Sequence, residues 1–259
     1  MSLISRFLSM DYHRIGQQII KFDRLGSTND YASLLLSEGV AENGMIIFAH
    51  EQFGGRGQRG RSWYAAPGDS LTFSLIFTDL ALSIDRVFMI QIVAGIAIRR
   101  WLSRFVRGKE VRLKWPNDVM VYGKKISGIL TETQIQGSRI SSVILGIGIN
   151  LNQTVFPSGC KNPVSLYMIS GKKLPVERSL QSLCLDLRQV FEEWISGGDS
   201  CLLNEYESCF YGMGELIQFN IRGQMLMAIP RGIDKQGSLI LEKEDGATVI
   251  IDSASVEWF

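Results

Sequence analysis

The chain of 259 residues has little that would mark a metalloenzyme, a hydrolase or a secreted protein. Its two histidines, His13 and His50, sit in no triad and no metal-ligand pattern. The four cysteines (Cys160, Cys184, Cys201, Cys209) show no C-x-x-C and no zinc spacing, so they read as reduced, mostly buried thiols of a cytosolic protein. A formal net charge of +1 excludes a generally basic nucleic-acid-binding surface and leaves room only for a local patch. Spanning a bilayer takes ~20 apolar residues, and the most apolar stretch, "VFMIQIVAGIAI", is shorter and carries Gln91, so it reads as a core helix. The opening "MSLISRFLSMDYHR" turns polar too soon for a signal peptide. The expected setting is cytoplasmic, with neither a membrane nor a nucleic acid as partner.

What is present is a large apolar fraction, 46%, enough for a substantial core in one large domain or a large one with a small companion. The first twenty or so residues are weakly patterned. "FDRLGSTNDYASLLLSEG" offers Ser27 or Thr28 as helix N-cap and Gly39 as stop. "GMIIFAH" and "LTFSLIFT" read as strands, and about 84–106 as a long buried helix. "VRLK", "VMVY", "KISGILTETQ" and "RISSVILGIGI" read as antiparallel strands joined by hairpins, followed by an amphipathic helix through Leu180, Leu183, Leu187, Val190, Phe191 and Trp194, then a shorter helix. Near residue 211 the texture changes to five short strands with no helix between them, which predicts a small closed barrel. The expected domains are therefore 1–210, mixed α+β, and 211–259.

Residues 54–63, "GGRGQRGRSW", hold four glycines and three arginines. Gly55, Gly57 and Gly60 fit G-x-G-x-x-G, but Pro67-Gly68 and a strand follow, where a dinucleotide fold needs a helix. A Gly-Lys-Ser/Thr is missing, which excludes a Walker loop, and neither H-R-D nor D-F-G of a kinase occurs. A solvated surface loop fits the composition; so does a loop that wraps an anion with main-chain N–H groups and guanidiniums. With little for the glycines to pack against and arginines that repel, the loop is expected to be mobile until a ligand orders it, at about 1–2 kcal/mol per residue. "KWPND" at 114–118, "GKKISG" and "GIGIN" at 146–150 are the other clusters; turn chemistry at Asn117-Asp118 and solvent-facing Lys124 and Lys125 are their plainer readings. With no nucleophile or acid–base pair in view, the chemistry that remains is positioning and charge stabilisation of phosphate.

"GSTND", "EQFGGRGQRGRSW", "KWPNDVMVYGKKISGIL", "GIGINLN" and "RGIDKQGSLILEKEDG", in this order, resemble the biotin–protein ligases from about Phe22 to the end. The resemblance implies a class II aminoacyl-tRNA synthetase-like catalytic domain, its mixed sheet largely antiparallel and packed with helices, plus a small SH3-like C-terminal β-barrel. It implies that biotin and ATP, with Mg2+, give biotinyl-5′-AMP, and that the biotinyl group passes to a lysine of a biotin carboxyl carrier protein. It also implies roles. Ser27, Thr28, Asn29 and Gln52 would hold the biotin head group, with Gly55, Arg56, Gly57 and Gln58 closing over it. Lys125 would meet the carboxylate and the α-phosphate, and Arg56 and Lys125 are the catalytic pair. Arg59, Arg61 and Trp63 would serve ATP, and Asn117, Asp118 and Asn150 would line its side. Gly128 and Gly146 would let backbone approach the ligand. No fixed protein metal site is implied, since Mg2+ travels with ATP.

In the resemblance, some members carry Arg where this chain has Gln58, and some carry a DNA-binding domain ahead of the matching region; with about twenty residues before "FDRLG", no repressor role is expected here. The oligomer would be a monomer or a homodimer. Lipoate–protein ligases share the chemistry but not the "GRGQRGR" loop. Isothermal titration is expected to give saturable heat with biotin and none with lipoate; equal heats would reverse that choice.

Overall fold

A computed structural model describes residues 11–106, 110–137 and 139–258. The first ten residues of the weakly patterned opening lie outside this range. Among the described residues, no helix is long and apolar enough to cross a membrane.

A seven-stranded sheet organises the larger part of the chain: β1 (Ile19–Leu25), β2 (Ile46–Gln52), β3 (Ser70–Ser83), β4 (Val111–Lys114), β5 (Asp118–Val121), β6 (Lys124–Gln136) and β7 (Arg139–Asn150), in spatial order β1-β2-β3-β7-β6-β5-β4. Only β1 and β2 pair in parallel; the other neighbours are antiparallel, so the sheet is mixed and largely antiparallel. β1 was not expected from sequence. Its "IIKFDRL" breaks alternation with Lys21, Asp23 and Arg24 because it is an edge strand, where charges face water.

Strand periodicity gives the sheet two unlike faces. Leu71, Phe73, Leu75 and Phe77 of β3 and Val143, Leu145, Ile147 and Ile149 of β7 enter the main core. Helices α2 (Val87–Leu102) and α4 (Val176–Gly197) supply the rest of that core. The α2 helix begins after a 3-10 turn at Ile84–Arg86 and ends at Leu102, shorter at both ends than expected. The opposite face carries buried Ser70, Thr72 and Ser74, with Gly146, Gly148 and Asn150 beside them in register. Over it lies α1 (Thr28–Ser37), whose N-cap Ser27 accepts a hydrogen bond from the Asp30 N–H. A five-residue helix, α3 (Leu166–Ser170), and α5 (Asp199–Ser208) complete this part; α3 is too short to leave a periodic signal.

The C-terminal part is a five-stranded antiparallel unit of β8 (Ile217–Ile221), β9 (Gln224–Ile233), β10 (Leu239–Lys243), β11 (Thr248–Ile251) and β12 (Val256–Trp258), ordered β11-β10-β9-β8-β12. The five short apolar runs form these strands as expected, but in place of the expected closed barrel the pairing among the described residues is an open order with β11 and β12 at its edges. It docks on the larger part through Phe210 and Trp258, through Trp115 Nε1 donating to the Gly237 carbonyl at 2.8 Å, and through Phe88, which fills the space above Gly237. Of the cysteines, Cys184 and Cys209 are buried, and burial pushes both thiols up, to about 12 and about 11. Cys201 is exposed, contrary to the expectation of mostly buried thiols, because it lies on the outer side of α5.

Gly237 tests the docking. Its φ is +83°, and a Cβ there would stand 2.2 Å from the Phe88 ring. Gly237→Ala is expected to cost about 1–3 kcal/mol of overpacking in addition to ~1–2 kcal/mol of backbone strain. At ~2–4 °C per kcal/mol for a chain of this size, thermal unfolding should fall by several degrees. Gly246→Ala, at φ +80° with open space around it, should lose only the backbone part.

Candidate active site

The polar face of the sheet, the start of α1 and the glycine loop enclose one site. Its floor is made where β6 and β7 dispense with side chains. Gly128 pairs with Gly148, and Leu130 with Gly146. The indole of Trp63 lies on Gly148 so closely that a Cβ there would be 2.3 Å from the ring, and the Asn29 amide lies on Gly146 at the same hypothetical 2.3 Å. Trp63 Nε1 is buried and meets no acceptor among the described residues. A donor so placed is costly unless a ligand atom accepts from it.

At one end of the floor stands a polar cluster. Gln52 Oε1 accepts from the Thr28 N–H at 2.7 Å, tying β2 to the first turn of α1. Ser74 Oγ lies 2.7 Å from Thr28 Oγ1 and also within hydrogen-bond distance of Asn29 Oδ1. Asn29 Nδ2 donates to Glu132 Oε2 at 2.7 Å. The same oxygen accepts from the Arg56 guanidinium at 3.0 Å, and Asp30 Oδ1 takes Arg56 from the other side at 2.7 Å. Ser27, Thr28, Asn29, Gln52 and Arg56, all selected from sequence, are therefore brought together.

At the other end stand cations. Lys125 Nζ pairs with Asp118 Oδ1 at 2.6 Å and lies 5.7 Å from the Trp63 ring centroid. Lys114, the last residue of β4, reaches over the rings of Trp258 and Tyr211 at 5.4 and 5.7 Å. Burial pulls its ammonium below the usual lysine range; Asp118 opposes the shift, while Lys125, Lys161 and Arg61 add to it. Four cations thus share one neighbourhood with a single carboxylate among the influences on Lys114. Such a site draws polyanions.

Other selected residues are held differently. Asn117 donates its amide to the Ile129 carbonyl at 2.8 Å, fixing the turn after Trp115 to β6. Asn150 is buried and spends its amide on the Val164 carbonyl at 3.1 Å, while its oxygen accepts from Gln153 at 3.1 Å. Arg59 donates to the Val256 carbonyl of the C-terminal unit at 2.7 Å. Gln58 lies in a 3-10 turn beside a cavity of about 330 Å³ bounded by the loop, Leu130, Glu132 and Ser253.

The glycine loop is more structured than its composition suggests. Gly57 N–H donates to the Arg61 carbonyl at 2.7 Å and Trp63 N–H to the Gly55 carbonyl at 2.8 Å, closing a small hairpin. Gly55 is itself buried, with the Trp63 carbonyl 2.5 Å from where its Cβ would be. The expectation that the glycines have little to pack against and the arginines repel is corrected for Gly55, Arg56 and Arg59: Gly55 packs on Trp63, Arg56 has two carboxylates and Arg59 a carbonyl. Those partners lie far away in sequence, which is why the loop alone did not disclose them. Asp30, Ser74, Lys114, Glu132 and Gly148 were likewise not selected. Lys114 and Gly148 stood inside quoted clusters; Ser74 and Glu132 become visible only once strand register places them beside Asn29.

The model of the Biotin/lipoate A/B protein ligase family matches residues 21–150, and that of the Biotin protein ligase C terminal domain matches residues 214–258. The chain is 31% identical over 246 residues to the Bifunctional ligase/repressor BirA of Bacillus spizizenii, covering 94% of this chain and 74% of that one. It is 30% identical to the Biotin--[acetyl-CoA-carboxylase] ligase of Paracoccus denitrificans, over 88% of this chain and 95% of that one. Among solved structures, Biotin protein ligase from Aquifex aeolicus in complex with biotin and ATP aligns with a TM-score of 0.77 at 24% identity, covering 94% of this chain and 99% of that one, a likeness of fold.

If carboxylates hold the loop, salt should loosen it. Trypsin cleavage after Arg56 is expected to accelerate in about 1 M salt, where the screening length falls to ~3 Å, relative to cleavage after exposed Lys235. An unchanged ratio would show that the ion pairs do not restrain the loop.

Proposed function

The chain belongs to the Biotin/lipoate A/B protein ligase family, and we propose how its residues divide the work. It is an ATP-dependent ligase that activates biotin as biotinyl-5′-AMP and transfers the biotinyl group to a lysine of a biotin carboxyl carrier protein. The division near residue 210, at the end of α5, is taken as the boundary between the catalytic domain and its C-terminal companion.

Biotin lies in this reading along the glycine floor beside the Trp63 indole and the Asn29 amide that pack on Gly128, Gly146 and Gly148, its ureido head against Ser27, Thr28, Asn29 and Gln52 and under the loop at Gly55, Arg56, Gly57 and Gln58. Its carboxylate points toward Lys125. ATP occupies the cationic end, with Trp63 offering a face to the base, Arg59 and Arg61 beside it, and Asn117, Asp118 and Asn150 shaping its wall. Lys114 and Lys161 belong with this end by the same electrostatic reasoning.

The first step joins two anions. A carboxylate oxygen of biotin attacks the α-phosphorus, the bond to the bridging oxygen breaks, and pyrophosphate leaves. Fixed cations offset the repulsion and the charge that builds up on phosphate. Lys125 is placed for this because it stands between the floor and the cationic end, held meanwhile by Asp118. Asp118 is the acid placed to share a magnesium ion brought by the triphosphate, which would neutralise charge on the departing pyrophosphate. The loop excludes water from the acyl-adenylate, which is easily hydrolysed. In the second step the carrier's lysine amine attacks the acyl carbonyl, an amide forms, and AMP leaves with the proton lost to solvent.

The observation that carries this reading is a glycine floor, on which Trp63 and Asn29 pack, with Arg56 at one end and Lys125 at the other. Incubation with labelled biotin, ATP and a carrier domain should label the carrier; no label would refute it. Lys125→Ala is expected to slow adenylate formation by roughly 10²–10³, about 2.7–4 kcal/mol of barrier, while biotin affinity changes far less. Adenylate formation at the unaltered rate would remove Lys125 from its role.

A further inference from the structure

One carboxylate in the site serves two residues given to the biotin head group, and nothing in the reaction uses it. β6 alternates so that Gly128, Leu130 and Glu132 face the site, and Glu132 is the member of that row nearest α1. Its Oε2 accepts from Asn29 Nδ2 at 2.7 Å and from Arg56 at 3.0 Å, with the side chain one-third exposed. The two donors come from separate segments, the start of α1 and the glycine loop.

We propose that Glu132 is a positioning residue for biotin recognition, setting the direction of the Asn29 amide and the place of the Arg56 guanidinium through a single carboxylate oxygen. The inference rests on the placement of biotin given above and deepens it.

The physical case has two parts. An amide has a donor end and an acceptor end, and either can face a ligand. With Glu132 accepting from Nδ2, Asn29 Oδ1 is turned to Ser74, and Gly146 leaves the room that this orientation needs. A neutral group at position 132 would remove that bias, because a glutamine can present a donor of its own to Nδ2. The second part concerns Arg56. Asp30, its other partner, has a side chain 61% exposed, where an ion pair contributes little. Glu132, with its side chain 33% exposed and sharing its oxygen with Asn29, is the firmer anchor. Both effects converge on the head-group end of the site, remote from the cations at Lys125 and Lys114.

That separation supplies the test. Glu132→Gln is expected to weaken biotin binding by about tenfold, equivalent to 1.4 kcal/mol, with the KM for ATP within about twofold of the parent and the melting temperature unchanged. Combined with Arg56→Ala, the loss should fall short of the product of the two single losses, since part of the Glu132 effect acts through its contact with Arg56. Unaltered biotin affinity in Glu132→Gln overturns the proposal. So do fully multiplicative losses, and so does a parallel rise in the KM for ATP, which would report general loosening of the site. Failure of the parent protein to bind biotin would refute the function itself and is read from the parent alone.

Discussion

Charge balance before the ligands arrive is the constraint on which the site depends. The chemistry asks for cations gathered where two anions will meet, yet such cations destabilise each other in a partly desolvated pocket. The fold resolves this for two of them by lending a carboxylate: Arg56 rests between Asp30 and Glu132, and Lys125 rests on Asp118. Among the described residues Lys114 has no such ion pair, and burial with the neighbouring cations lowers its affinity for its proton. In the proposed reading, binding is an exchange of anions around cations already in place. That keeps the reorganisation needed at the moment of reaction small.

The sheet makes this exchange possible by being two surfaces in one. Its core side is a continuous apolar wall packed on α2 and α4, and such a wall holds the strands in register against small local disturbances. The other side is then free to carry glycines at three neighbouring positions and a row of hydroxyls at Ser70, Thr72 and Ser74. Glycines weaken strands, and β7 tolerates Gly146 and Gly148 because it pairs along its length with both β3 and β6. Rigidity bought by one face is spent on precision at the other.

Much of this was legible in the sequence, and the reasons are local. The N-cap at Ser27, the buried run of α2, the hairpin series from β4 to β7 and the shift to short strands after residue 211 each follow from periodicity or turn chemistry within a few residues. The site residues selected from sequence were those inside glycine-rich or turn-forming clusters. What stayed hidden depends on partners far along the chain. Glu132 is 103 residues from Asn29, and its significance exists only in the sheet. The loop looked floppy because its restraints, Asp30, Glu132 and Val256, lie outside it. Edge strand β1 escaped because a charged strand at a margin does not alternate as an interior one does.

The hydrogen bond from Arg59 to the Val256 carbonyl joins positions 197 residues apart. Chains emerge from the ribosome from the N-terminus, at about 5–20 residues per second. The large sheet is complete in sequence at Asn150, whereas the acceptor for Arg59 emerges more than a hundred residues later. A nascent chain can therefore assemble the floor of the pocket well before its cover can be fastened at this point. The last fastening of the glycine loop is an event of finished synthesis, made only when translation has reached the final strand.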